Sequence, residues 1–431
     1  MRQTAFARPD HVRLDLGRPG PAVIAIPAHN EAREIERCLA ALAVQRDLMG
    51  APVEAGAFQV LVFANNCTDR TAAVVNDFAS RMPHPLRVVE AQLPIGQRNA
   101  GWARKHAMDL AAAAIMADGT TQGLIMTTDA DSQVAPTWFA ATTREFEQGA
   151  DCVAGYIDAN PLELVSLGRG FLQRSRREDG YLRLLAEIEA CCDPRPHDPW
   201  PNHRVASGAS LAVTLSAYQA IGGLPPRPVG EDQALTKALD RAGFRVRHAM
   251  AVSVITSCRF DGRAPGGAAD TIRHRHAVPD APCDDEIEPA LHFMRRVICR
   301  RMLRGVWEQP GSRMPVLLAR LGIAPARAAL IGAAGADAFE DFWHRICAAS
   351  PVLAARRQLR PADLPRQIAM AQIILRHLRA RTAPAQIVPT GKYRRERSLE
   401  PANVQRSAAQ NARSPARPSA DSRFRPASDT Q

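Results

Sequence analysis

Two carboxylates, Asp129 and Asp131, stand one residue apart in TTDADS (127–132), directly behind the apolar run Gly123, Leu124, Ile125, Met126. Acids at that spacing at a strand end can hold a divalent cation and leave coordination positions open for the oxygens of a phosphate-bearing ligand. Mg2+ or Mn2+, which favour oxygen donors, suit such a pair. The same two acids also suit a turn, or the cap of a helix starting around Pro136. A second acidic pair, Glu231 and Asp232, stands at the head of DQALTKALDRAG after the turn-rich GGLPPRPVG. Acids there cap a helix, and a carboxylate beside a hydroxyl can also take its proton.

The elements that must position these acids alternate along the chain. PAVIAIP (21–27), FQVLVF (58–63), 86–89, 124–127 and 152–156 read as short strands. Between them lie helical stretches: one capped by Asn30 and carrying Ile35, Leu39 and Leu42, one beginning near Asp69 with Val74, Val75 and Phe78, and a long alanine-rich one over 97–116. Alternation of this kind predicts an α/β layered fold with a mostly parallel central sheet, whose ligands bind outside the carboxyl ends of the strands. PAHNEA (27–32) follows the first strand, ANNCTDRT (64–71) the second and TDADS (128–132) the fourth. Three polar, acid-bearing loops are therefore expected on one edge.

The chain has 431 residues, 46% of them hydrophobic, enough for one large catalytic domain and an accessory region. Nine scattered cysteines without C-x-x-C spacing suggest neither a disulfide framework nor a zinc module, and a reducing compartment is expected. The first twenty residues lack an apolar h-region, and no later stretch has the ~18 apolar residues of a membrane span. A net charge of +11 with few aromatics favours phosphate-bearing ligands or an anionic membrane surface over nucleic acid. The expectation is a cytoplasmic protein, free or peripheral to the inner face of a membrane. RFDGRAPGGAAD (259–270) reads as a glycine-rich flap, 285–308 and 312–382 as helices with Arg-rich faces, and the stretch from Ala383 as a disordered basic tail. The expected division is a catalytic domain over 1–270, a helical accessory region over 271–382 and the tail over 383–431.

PAHNE, NNCTDRT, GQRNAGWARKHA (96–107) and DAD, followed by SGASLAVTLSAYQAIGG (207–223) and GEDQAL (230–235), occur in an order that resembles glycosyltransferase family 2, nucleotide-sugar transferases of GT-A fold. The resemblance covers roughly the first 260 residues. It implies a metal-dependent, inverting transfer of a sugar from a nucleotide diphosphate, UDP-linked, to an acceptor hydroxyl. By resemblance Pro27 and Glu31 of the first loop and Asn65, Asn66 and Asp69 of the second hold the nucleoside, with Ala64 where the family carries an acid. Arg98 and Asn99 would approach the base or diphosphate, Asp129 the ribose and metal, and Asp131 would be the principal ligand of Mg2+ or Mn2+. Asp232, beside Glu231, would be the general base.

Other residues invite sharper readings than they support. Adjacent Cys191 and Cys192 cannot easily ligate one tetrahedral ion with His197 and His203, so CCDPRPHDPWPNHR is read as a proline-stiffened acceptor-side loop. His248, His274 and His276 could each supply a third metal ligand, but none stands in a matching motif and each is read as a surface or structural histidine. Arg295, Arg296, Arg300, Arg301 and Arg304 form a basic helix face ahead of Trp307, read as solvated rather than lipid-binding. G-x-G-x-x-G is missing where PAHNEA stands, which disfavours a dehydrogenase, and no Walker loop is present. A nucleotidyltransferase and a non-catalytic nucleotide-sugar-binding scaffold are the remaining alternatives.

Overall fold

Eight runs of β-branched and small apolar residues pair into one sheet in the computed structural model, which describes residues 21–381 apart from 118, 121, 261, 263–265, 309–312, 334, 337 and 355–356. They are β1 (Ala22–Ala28), β2 (Phe58–Asn65), β3 (Leu86–Ala91), β4 (Leu124–Thr127), β5 (Ser132–Val134), β6 (Cys152–Ala159), β7 (Leu211–Thr214) and β8 (Val246–Thr256). The strand order is β3-β2-β1-β4-β7-β6-β8-β5. β1 runs parallel to β2 and β4, β2 to β3, and β6 to β8. β7 is antiparallel to both β4 and β6, and β5 to β8. Because β7 is reversed between two strands of common direction, the carboxyl ends of β1, β2, β4, β6 and β8 and the amino end of β7 all reach the same edge.

Both faces of the sheet are covered, which is why its central strands are apolar throughout rather than alternating. Side chains of a strand point alternately to opposite faces. Ile24 and Ile26 of β1 accordingly pack with Val60, Val62 and Trp138, whereas Val23 and Ala25 pack with Leu61, Met108 and Leu211. The covering helices are α1 (Ile35–Ala43), α2 (Thr71–Phe78), α3 (Ala100–Ala117), α4 (Trp138–Glu147), α5 (Pro161–Ser166), α6 (Arg169–Cys192), α7 (Leu215–Ala220) and α8 (Glu231–Arg241). Beyond the sheet come α9 (Ala268–Ala277), α10 (Ala290–Glu308), α11 (Arg313–Arg320), α12 (Pro325–Ala333), α13 (Phe339–Ala349), α14 (Pro351–Ala354) and α15 (Leu364–Arg381). Tyr181, Leu185 and Ile188 of α6 share a core with Phe293 and Val297 of α10 and Leu375 of α15. Among the described residues, no helix is long and apolar enough to cross a membrane.

Several expectations are corrected here. Asn30 does not cap α1, which begins at Ile35 after an N-terminal residue, Glu34, that makes no side-chain cap bond. Asn30 instead takes a left-handed φ of 55°, and its Oδ1 accepts from the backbone N–H groups of Thr68 and Asp69. The helical stretch expected over 312–382 comprises α11 to α15. The basic face of α10 is not solvated as a whole. Arg300 is buried, pairing with Glu189, Asp193 and Glu340, Arg304 meets Asp193 at 2.5 Å, and Arg296 binds Glu288. Part of the expected flap at 259–270 and the tail from Ala383 lie outside the described residues.

Candidate active site

A cleft of about 360 Å3 opens on the common strand edge. Each side of it comes from a different strand end. Pro27 lies in the last pair of residues of β1 and His29 and Glu31 follow that strand, Asn65 ends β2, Asp129 and Asp131 follow β4, Gly208 precedes β7, and Arg259 follows β8. α3 contributes Arg98 and Asn99 just before its start and Arg104 within it, and α8 contributes Glu231 and Asp232 from its first turn. Of the residues expected at the site, Pro27, Glu31, Asn65, Arg98, Asn99, Asp129, Asp131, Glu231 and Asp232 are thus brought together. Asn66 and Asp69 are not among the lining residues. Their side chains hold the loops. Asn66 Nδ2 donates to Gln92 Oε1 and its Oδ1 accepts from Leu93 N–H, while Asp69 accepts from Ala32 N–H and from Thr71. Burial works against ionising Asp69, but those hydrogen bonds outweigh it and hold its carboxyl below the ordinary range.

Arg104 is the hub of the floor, and the sequence reading passed over it. It is 4% exposed, yet each of its three nitrogens donates. Nε donates to Glu231 Oε1 at 3.0 Å, Nη2 to Asp129 Oδ1 at 2.6 Å, and Nη1 to both Thr127 Oγ1 and the Gly208 carbonyl at 2.9 Å. Burial pulls its pKa down, but Asp129 and Glu231 together outweigh that and raise it, so the guanidinium stays charged. A signal did exist. Ala103, Ala107, Met108 and Ala111 lie on one helical face with Arg104, and an arginine on an apolar face requires acidic partners. Two glycines give the backbone room for this arrangement: a Cβ on Gly208 would lie 2.2 Å from Arg104 Cζ, and one on Gly101 would lie 1.9 Å from the Arg227 carbonyl oxygen.

The two acids of α8 are thereby separated in kind. Glu231, 5% exposed, is committed to Arg104. Asp232 is half-buried, and its Oδ2 accepts from Gly208 N–H at 3.0 Å while facing the cleft. In the same cleft, burial pushes the Asp131 carboxyl up to about 7; neighbouring Asp129 adds to this and Arg259 opposes it. Arg259 was also unforeseen. It forks onto Glu31, with Nη1 to Oε2 at 2.8 Å and Nη2 to Oε1 at 2.5 Å, and its Nη2 lies 3.0 Å from Asp131 Oδ2.

The histidines named above lie elsewhere. His248 bonds Asp198 through its Nδ1 and through its backbone N–H, beside buried His203, and His274 and His276 are exposed on α9. Asp198 also receives Arg247, so CCDPRPHDPWPNHR is anchored to β8 through one buried acid.

The family described as Glycosyl transferase family 2 is matched over residues 23–193. No curated protein matches the chain. Among solved structures, it is similar to a mannosyltransferase, PcManGT, from Pyrobaculum calidifontis in complex with GDP-Man and Mn2+, at 21% identity and a TM-score of 0.41, over 77% of this chain and 86% of that one. It is also similar to S. aureus TarS 1-349 in complex with UDP-GlcNAc, at 15% identity and a TM-score of 0.41, over 84% and 92% of the two chains.

Proposed function

We propose that this chain, whose residues 23–193 match glycosyl transferase family 2, is a metal-dependent inverting glycosyltransferase that moves a sugar from a nucleotide diphosphate to an acceptor hydroxyl. The observation that carries the reading is one cleft lined by both Asp129 and Asp131 and by Asp232, whose carboxylate is held by the backbone N–H groups of Gly208 and Gln233 and, among the described residues, by no side-chain cation. A divalent cation fits the charge of that cleft. Five carboxylates line it (Glu31, Asp129, Asp131, Glu231, Asp232) against three guanidiniums (Arg98, Arg104, Arg259), and a diphosphate would add further negative charge. Asp131 and Asp129 would hold the ion, Mg2+ or Mn2+, which supplies Lewis-acid stabilisation of the departing diphosphate.

The protein's own groups supply the rest. Asn65 Oδ1 is buried with no hydrogen-bond partner among the described residues, which suits an imino N–H of the base, as on the uracil of the UDP-linked donor that the resemblance implies or on guanine. Arg104 fixes Asp129 so that one of its oxygens keeps its place. Asp232 takes the proton of the acceptor hydroxyl as it attacks the anomeric carbon, a contribution of about 10² to 10⁴ in rate. One displacement from the face opposite the leaving group inverts the centre. Glu231, spent on Arg104, is the poorer base of the two.

The test is a comparison of Asp131→Asn, Asp232→Asn and wild type by UDP binding with Mn2+ and by transfer or donor hydrolysis. Asp131→Asn should lose the Mn2+-dependent part of UDP affinity. Asp232→Asn should keep it and lose ~10²-fold or more in kcat. Normal turnover in Asp232→Asn would remove it as the base, and unchanged Mn2+ dependence in Asp131→Asn would remove the metal assignment.

A further inference from the structure

Two of the three guanidiniums that line the cleft, Arg104 and Arg259, are held in different ways. Arg104 is sealed in by four acceptors on the floor. Arg259 is 24% exposed at its side chain and bound to carboxylates alone, Glu31 and Asp131. It stands at the head of a segment whose Gly262 and Gly267 also line the cleft, and Gly266 there has a φ of 77°. A guanidinium at that point is the nearest positive charge to the acid expected to hold a divalent cation. Both cannot saturate the same Asp131 oxygen.

Resting on the reading of the cleft as a site for a cation and a diphosphate, we propose that Arg259 is a built-in counter-cation. With the cleft empty it neutralises Glu31 and Asp131. When a divalent cation takes Asp131, the guanidinium leaves that carboxylate for the donor's phosphate oxygens, which its planar fork matches as well as it matches Glu31. The arrangement has two consequences. The site discriminates against metal alone, because an ion approaching Asp131 meets a positive charge 3.0 Å from the same carboxylate. It admits metal together with nucleotide, because the phosphates give Arg259 somewhere to go. Binding of the two is then cooperative, and by linkage each tightens the other by the same factor.

The experiment measures two affinities in wild type, Arg259→Gln and Arg259→Lys: Mn2+ without nucleotide, by the paramagnetic resonance of free Mn2+, and UDP at saturating Mn2+, by calorimetry. Arg259→Gln is expected to bind Mn2+ alone about 10-fold more tightly and, with Mn2+ saturating, UDP about 10-fold more weakly. Arg259→Lys keeps the charge but not the fork, so its Mn2+ affinity should stay near wild type while its UDP affinity falls; it keeps the test open should the Gln variant fold poorly. Equal or weaker Mn2+ binding in Arg259→Gln overturns the counter-cation, and unchanged UDP binding overturns the transfer to phosphate. If wild type binds no UDP with or without Mn2+, the nucleotide reading of the cleft falls and with it the phosphate step, while the Mn2+ comparison still decides whether Arg259 guards the acids.

Discussion

Arg104 shows what single residues reveal and conceal. Its partners Thr127, Asp129, Gly208 and Glu231 lie between 23 and 127 positions away. Chain-local spacing could flag DAD and ED as acids at element ends, but not that one buried arginine joins them. The acids themselves were legible from the order of motifs in which they stand, because D-x-D alone suits a turn or a helix cap as well. Asn66 and Asp69 were placed with them because the loop composition does not reveal which side chain turns inward and which ties the loop. The pairing also sets a stability expectation. Arg104→Gln would leave Asp129 and Glu231 charged and partly or wholly buried without their counterion, and breaking a buried pair in this way costs about 3–5 kcal/mol. A denaturant midpoint lowered by that energy divided by the slope, with the slope unchanged, is the expected result; a loss under about 1 kcal/mol would show that water replaces the guanidinium. Arg104→Lys should recover only part, since an ammonium cannot reach four acceptors arranged for a fork.

At the scale of elements, strands with continuous β-branched or apolar runs were found and three others were not. β5 has only three residues, β7 is a four-residue run inside a motif read for its resemblance, and β8 carries Arg247 and His248 in its first turn of pairing. Those two polar residues are in the sheet because Asp198 receives both. A similar acid, Glu189 of α6, takes Arg195 at 2.8 Å, Arg204 at 2.5 Å and Arg300 at 3.2 Å. Burial opposes ionisation of each acid, but Arg204, Arg195 and Arg300 for Glu189, and His248 foremost for Asp198, outweigh it and hold both below the ordinary carboxylate range. A carboxylate with a depressed folded-state pKa contributes stability that is present above its unfolded value and lost as pH falls. For Glu189 the loss should begin below about pH 4.5, its ordinary value, and continue down toward the folded value. Glu189→Gln should therefore be less stable than wild type at neutral pH and flatter across the acid limb of a melting-temperature profile. Parallel acid limbs in the two proteins would assign acid sensitivity to other carboxylates.

For the whole molecule, the layered α/β class followed from alternation alone, but where the catalytic part ends did not, because a helix's partners are not written in its own sequence. The expected boundary near residue 270 falls between α6 and the helices that cover it. Tyr181, Leu185 and Ile188 are fully buried against Ile287, Phe293 and Val297 and against Leu364, Ala371 and Leu375. α8, which carries Asp232, is tied at its other end to α13 through Arg241 and Asp341 at 2.7 Å. We therefore propose that the helices up to α15 are part of the catalytic unit. A chain ended at residue 270 would expose the inner face of α6, at a cost of about 1.5–3 kcal/mol for each large apolar side chain uncovered, and three such side chains already approach the 5–15 kcal/mol that stabilises a domain. The expected outcome is aggregation, or a soluble product without a cooperative melt. A chain ended at Arg381 should retain the melting temperature of the full protein and its UDP affinity. If the 1–270 fragment instead melts cooperatively near the full-length temperature and binds UDP as well, the helices are accessory, and the packing of α6 against α10 and α15 contributes little to the fold of the site.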